Sequence, residues 1–483
     1  MVDQNEAGKK SGVASVRVRM YRPGLGDCFL ITFQTEEKDF HMLVDCGVFL
    51  GTSGGADQIR KIARDLAAQT SQHLDVTVAT HEHWDHLAGF IYAQEVFDEF
   101  EISQVWLAWT EDPANPLARQ LRAEQEAHLN ALHLALQNIK DQLGDYGSGI
   151  QELLNFSGEA LAASGGRSTR AALEYLAKHK SARIKYCYPG RKPLILDDLP
   201  GVRIYVLGPP EDETLIKHSE PGASGDEVYH ELTRLNLSNS FFAALPLDAE
   251  RDQYSAIRDL SFPFDGQYRI SLEDARQDAF FGEYYGFDEA KKSENAWRRI
   301  DTDWLDLVGE LALALDNDTN NTSLVLAIEL VESGKVLLFP ADAQVGNWQS
   351  WQKLEWEVDS GNGQTKRIRV RDLLERAVLY KVGHHGSHNA TLRELGLEMM
   401  TSDELVAMIP VDQEFAGKKK WNMPFDPLLR RLKEKTRGRV IRSDLGIPDE
   451  QELLLSPAER AAFRNTTRET DLFIDYIISG RSQ

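Results

Sequence analysis

Seven consecutive residues, Thr80-His81-Glu82-His83-Trp84-Asp85-His86, hold three imidazoles and an aspartate. Neutral imidazole and carboxylate are ligands for zinc, and also for manganese or iron. His81 and His83, two apart in an extended turn, can aim at one cation. Asp85 and His86, offset from them, can serve a second cation nearby. A second group, Lys381-Val382-Gly383-His384-His385-Gly386-Ser387-His388, sets adjacent histidines between glycines, which suits a tight loop approaching a metal or a phosphate. Six of the 13 histidines fall in these two groups, so one shared site explains them better than two unrelated loops. Single carboxylates follow two further apolar runs, Asp45 after HMLV and Asp342 after KVLLFPA. Alone, Asp342 reads as an ordinary turn aspartate and Asp45 as a loop-stabilising hydrogen bonder.

Each group needs an element to deliver it. Leu74 to Thr80 (LDVTVAT) reads as a short buried strand ending at the first histidine group. Residues 378–382 read as the strand before the second. Residues 14–34 and 40–49 read as short strands around Gly24 and Gly26, and 202–207, 323–331, 335–340 and 405–410 as others. Helices are predicted over 57–69, 115–143, 168–179, 301–315 and 427–436; in the second, Leu121, Leu129, Leu132, Leu136, Ile139 and Leu143 share one face. Residues 146–166 are Gly- and Ser-rich and read as looser chain. Alternating strands and helices make this an α/β protein.

The chain has 483 residues, 42% of them hydrophobic, which excludes wholesale disorder and supplies a core without disulfides. A net charge of −22 argues against a wholly basic nucleic-acid binder. That charge is unevenly spread. Between Lys418 and Arg442 lie ten Lys and Arg against Asp426 and Glu434, a local +8 that leaves −30 for the rest. This segment reads either as a solvated helix or as a track for a phosphate backbone. Three cysteines, Cys28, Cys46 and Cys187, make no disulfide framework and point to a reducing compartment. No signal peptide is recognised and no run of 18 apolar residues occurs; Glu329 breaks the best stretch. The expectation is a cytoplasmic protein without a membrane partner.

The pattern His81-x-His83-x-Asp85-His86 resembles the metal-binding signature of the metallo-β-lactamase superfamily. Asp45 is similar to its first motif and Asp342 to its bridging aspartate. Within the superfamily the chain resembles the hydrolase domain of ComEC-type DNA-uptake proteins and their free-standing relatives. Gly24-Leu25-Gly26-Asp27, Asn320-Asn321-Thr322-Ser323-Leu324-Val325, the strand before Asp342, Gly383-His384-His385-Gly386-Ser387 and Arg442-Ser443-Asp444 with Gly446 carry that resemblance, in the expected order. It covers roughly residues 14–100, 200–210 and 320–446.

The resemblance implies a four-layer αββα sandwich with large, mainly helical insertions at about 107–190 and 211–315. The hydrolase domain would span 14–446, followed by a C-terminal extension, 447–483. It also implies two divalent ions, Zn²⁺ first and Mn²⁺ as the alternative, and a hydroxide bridging them as nucleophile. His81 and His83 would hold the first ion. Asp85, His86 and one of His384 and His385 would hold the second, and Asp342 would bridge. We favour His385 as ligand and His384 as substrate or leaving-group contact; the reverse stays open. Many superfamily members give the first ion a third histidine, and the comparable strand end here is Leu207-Gly208-Pro209-Pro210. His128, His133, His179, His218 and His230 are the candidates to replace it.

Asp85 and His384 are the expected catalytic residues, with His388 as a second candidate to protonate the leaving group. Lys381, Ser387 and His388 are the expected substrate contacts. The expected activity is a phosphodiesterase, a nuclease acting on DNA or RNA. The alternatives are hydrolysis of a small ester, lactone or phosphoester, and an effector subunit gated by a protein partner through the insertions.

Overall fold

In β1 (Ser15–Tyr21), Val16, Val18 and Met20 point one way while Arg17, Arg19 and Tyr21 point the other, the period-two pattern of a strand buried on both faces. The same alternation recurs through β2 (Cys28–Gln34), β3 (Asp39–Cys46) and β4 (His73–Ala79). The computed structural model describes residues 12–139, 168–219, 270, 272–285, 298, 313–359 and 364–481. Positions 140–143 and 301–312 of two expected helices, the loose segment 146–166 and His230 lie outside the described residues, as does the His133 side chain.

The first sheet adds β5 (Glu101–Ala108), β6 (Arg183–Cys187), β15 (Thr467–Glu469) and β16 (Phe473–Ser479), in the order β15-β16-β1-β2-β3-β4-β5-β6. Strands β3 to β6 run parallel and the others antiparallel. The second sheet contains β7 (Val202–Gly208), β8 (Val325–Leu330), β9 (Val336–Phe339), β12 (Ala377–Lys381), β13 (Val406–Ile409) and β14 (Val440–Arg442), ordered β14-β13-β12-β9-β8-β7. Here β9, β12, β13 and β14 are parallel. The remaining pair, β10 (Glu355–Asp359) and β11 (Thr365–Arg369), is a separate hairpin.

One apolar core joins the two sheets. Val16, Phe29, Met42 and Val76 of the first sheet meet Ile204, Leu326, Phe339 and Met408 of the second. The outer face of the first sheet is covered by α1 (Gly55–Thr70) and α2 (Trp84–Tyr92) and by the helix Thr169–Ala177, through Ile59, Leu66, Leu87, Phe90 and Leu176. The outer face of the second is covered through Trp348, Trp351, Leu373 and Leu432. The protein is thus a mixed α/β structure whose two sheets each bury both faces.

The chain divides into two compact units. One comprises Met1–Gln120, Leu154–Pro221 and Asp316–Gln483; the other comprises Leu121–Leu153 and Gly222–Leu315. Among the described residues, the second unit includes the helices Leu272–Gln277 and Ala279–Tyr285. The segment 447–483, set apart by its sequence, is woven into the first unit: β16 pairs with β1 along its full length. The three cysteines are free and buried. No helix among the described residues is long and apolar enough to cross a membrane.

The β1–β16 pairing is locked by a buried charge. Arg19, 1% exposed, donates from Nε to Asp475 at 2.7 Å and from Nη1 to Asp65 at 2.7 Å. Removing one partner of such a group leaves a buried charge undercompensated. Asp475→Ala is expected to cost about 3–5 kcal/mol in urea unfolding; a wild-type midpoint would show that β16 does not support the sheet.

Candidate metal centre

The parallel strands of both sheets end at one place, the common location for sites in α/β sheets. β3 carries Asp45 one residue before its end, β4 leads into His81 and α2, β9 leads into Asp342, and β12 leads into His384 and His385. The Thr80 carbonyl accepts from Leu324 N–H at 2.9 Å, tying the two sheets together beside the site. Gly47 is required here, because a Cβ on it would lie 2.2 Å from the Asp85 carbonyl carbon. The backbone is left-handed at Asp45 (φ 57°), Ala341 (φ 52°), His384 (φ 43°) and His385 (φ 52°). Such conformations cost of order ~1–3 kcal/mol each and concentrate at functional sites.

Ligand atoms of Asp85, His86, Asp342 and His385 lie within 4.8 Å of one another, and all four residues are buried. His385 Nε2 is 2.9 Å from Asp85 Oδ2. His86 Nε2 is 3.2 Å from Asp342 Oδ2 and 3.8 Å from Asp85 Oδ2, yet makes no hydrogen bond. Asp85 Oδ1 is likewise buried without a partner. Behind the cluster, Asp45 accepts from His86 Nδ1 at 2.8 Å and from Thr80 N and Oγ1 at 2.9 and 2.7 Å. The Pro410 carbonyl accepts from His385 Nδ1 at 2.6 Å. Both imidazoles therefore keep Nδ1 occupied and present Nε2 to the carboxylates, as metal-binding histidines do. Of the two adjacent histidines, His385 joins this cluster. His384 instead donates its backbone N–H to Asp342 Oδ1 at 3.1 Å, and its Nδ1 is unpartnered.

Burial disfavours a charge on His86, but the carboxylates of Asp342, Asp27, Asp45 and Asp85 outweigh it and hold the imidazole protonated well above its usual range. Burial likewise opposes ionisation of Asp342, yet His86 and Lys381 keep it well below the ordinary carboxylate range. A proton on His86 thus supplies positive charge that the site requires. The orphaned Nε2 and carboxylate oxygens, with this negative excess, fit a cation: the buried His and Asp cluster can hold a metal ion.

His81 and His83 lie at the rim of this cluster. His81 Nε2 faces His83 Nδ1 at 3.0 Å, and the His81 and His86 rings stack at a tilt with centroids 4.2 Å apart. Burial, with His86 and His83 adding to it, pushes His81 well below its ordinary value, and burial pushes His83 to about 4. His179 bonds to the Phe97 carbonyl and His218 to Gln349, so neither supplies a third imidazole to His81 and His83. Asp316 approaches instead, its Oδ1 3.6 Å from His83 Nε2. Burial and the nearby Asp85 and Asp342 raise Asp316 well above the usual carboxylate range.

The expected substrate contacts differ in exposure. Lys381 is 2% exposed; its Nζ pairs with Asp27 and lies 3.2 Å from Asp342 Oδ1, inside the cluster. A lysine that ends a fully buried strand cannot reach solvent, and it neutralises two site carboxylates. Ser387 is buried and donates to Asn389. His388 is exposed, its ring edge against Phe425. Asp27, which carried no role in the sequence reading, also lies 3.8 Å from His385 Nδ1 and 3.9 Å from His86 Nδ1. The Asn321 and Ser323 side chains brace the Asp342 turn: Ser323 Oγ accepts from Asp342 N–H at 3.2 Å and Asn321 Oδ1 from Gln344 N–H at 3.0 Å.

The basic segment is largely engaged with carboxylates. Arg431 forks onto Glu398 at 2.6 Å, Lys433 meets Glu452 at 2.7 Å, Arg437 meets Glu459 at 2.8 Å and Arg442 meets Asp444 at 2.6 Å. Trp421 packs edge-on to Phe49. No family model matches the chain, and no curated protein matches it.

Burial holds His384 neutral down to about 4. The unfolded imidazole titrates near 6.5, so between these values the folded chain binds fewer protons and this stabilisation is lost as pH falls. In chelator-treated protein, His384→Gln is expected to lose roughly 3 kcal/mol less than wild type between pH 6.5 and 4. Parallel pH profiles in urea unfolding would contradict the buried neutral state.

Proposed function

We propose that this protein is a metal-dependent hydrolase of the metallo-β-lactamase type, acting on a phosphodiester. The reading is carried by the convergence of Asp85, His86, Asp342 and His385, from three separate strand ends, on one buried point. The paired sheets, with apolar core between and helices outside, are read as the αββα sandwich of that superfamily. Asp85, His86, His385 and Asp342 would hold one divalent ion, and His81 and His83 a second, with Asp342 shared; zinc suits this donor set and manganese is the alternative. When bound, such ions polarise water and phosphoryl oxygens and offset charge on the attacking and leaving atoms.

The chain's own residues do the rest. Asp85, with Oδ1 unpartnered, orients the attacking water. Lys381 fixes Asp342 and balances its charge from behind. His384 is neutral at physiological pH, so it positions substrate; the exposed His388 is assigned the leaving-group proton. The pairing of Arg431, Lys433, Arg437 and Arg442 favours a second reading, a small ester or phosphoester substrate that needs no basic track.

Purified protein is expected to cleave DNA, RNA or bis-p-nitrophenyl phosphate in Zn²⁺ or Mn²⁺ and to fall silent after chelation. His388→Gln should slow turnover by roughly 10²–10⁴-fold without changing bound metal. Undiminished cleavage by Asp85→Ala or His83→Ala would remove this site as the catalyst. Turnover of the small ester without any nucleic-acid cleavage would select the second reading.

A further inference from the structure

His86 and His385 are each oriented from behind, by Asp45 and by the Pro410 carbonyl, and each shows Nε2 to the cluster. His83 is turned the other way round. Its Nδ1 lies 3.0 Å from His81 Nε2, and its outer nitrogen, Nε2, faces Asp316 Oδ1 at 3.6 Å. That oxygen is buried and makes no hydrogen bond, while Asn320 Nδ2 donates to the other oxygen at 3.3 Å. A separation of 3.6 Å is about half an ångström beyond hydrogen-bond range, a small rotation for a side chain held at one oxygen only.

We infer that Asp316 is the positioning residue of His83. Burial and the charges of Asp85 and Asp342 are what raise Asp316, and a cation held by those two aspartates would offset their charge; with Oδ1 then free of its own proton, Asp316 accepts from Nε2 and leaves Nδ1 aimed where His81 Nε2 also points. As the structure stands, the two nitrogens share a hydrogen bond at 3.0 Å, so one of them carries a proton that a cation between them would displace. Asp316 therefore prepares the His81 and His83 pair for a cation, as Asp45 prepares His86. It does so without being a ligand. Asp316 opens the Asp316–Gln483 portion of the first unit, directly after the segment Gly222–Leu315. The inference rests on the two-metal reading and adds to it the origin of the first position's geometry.

The test is Zn²⁺ titration of the full chain by calorimetry, with elemental analysis at saturation and urea unfolding of the chelated protein. In Asp316→Ala one of the two binding steps should weaken by roughly 10–100-fold, the other should keep its wild-type affinity, and both equivalents should still load at saturating Zn²⁺. The chelated variant should unfold at or above the wild-type midpoint, since the buried Oδ1 contributes no hydrogen bond. Asp316→Asn, which keeps an acceptor without the charge, should fall between the two and serves if the alanine variant does not fold. Unchanged affinities in both variants would overturn the inference while leaving the metal reading intact. So would complete loss of one equivalent, which would make Asp316 a ligand, or a parallel fall of both steps and of stability, which would make its role structural. Wild-type protein that takes up no Zn²⁺ would remove the metal reading itself.

Discussion

The Asp342 carboxylate is the contact on which the site's geometry depends. One oxygen accepts from Lys381 Nζ at 3.2 Å and from the His384 backbone N–H at 3.1 Å, and the other lies 3.2 Å from His86 Nε2. His86 belongs to the first turn of α2, after β4 of the first sheet, and Lys381 and His384 to the end of β12 in the second, so one carboxylate spans both. Asp27, Asp45 and Asp85 crowd the same buried volume. Carboxylates so close can ionise together only against fixed positive charge. Lys381 supplies it permanently, and His86 and His385 supply it with protons that a cation can displace. The left-handed turns at Asp45, Ala341, His384 and His385 persist because these interactions over-determine them.

The legible part of the site was the part packed into short loops. His81, His83, Asp85 and His86 are neighbours in sequence and remain neighbours in space, and the same holds for His384 and His385. Asp342 and Asp45 stood out only through resemblance, because a lone carboxylate after a strand is usually a turn residue. Asp316 gave no signal. Its surroundings are rich in aspartate, and only the tertiary placement of one of them beside His83 distinguishes it. Lys381 stands beside the histidine pair in the sequence, but nothing local shows that Asp27, more than 350 positions earlier, pairs with it. The basic segment carries +8 along the chain, but only the fold shows that Glu398, Glu452 and Glu459 reach it from other segments.

The elements themselves were read within a residue or two where alternation or helical spacing was strong. β4, β8, β12 and the helix Asp426–Lys435 are examples. β5 and β6 were overlooked at the margins of a segment taken as an insertion. The order of strands was not accessible at all. β16 lies beside β1 because Arg19 needs Asp475, and no local pattern in either strand names its partner.

That pairing has a temporal side. Arg19 and Asp475 are 456 positions apart, and Asp85 and His385 are 300 apart. During synthesis the early strands emerge long before the residues that complete them. The nascent first sheet carries an open edge at β1, and Arg19 has Asp65 but not Asp475 as a partner, until β16 arrives. The ligand cluster, likewise, is unfinished until β12 and its histidine loop have left the ribosome. The four side chains that could hold a cation therefore come together only in chains that have reached this stage.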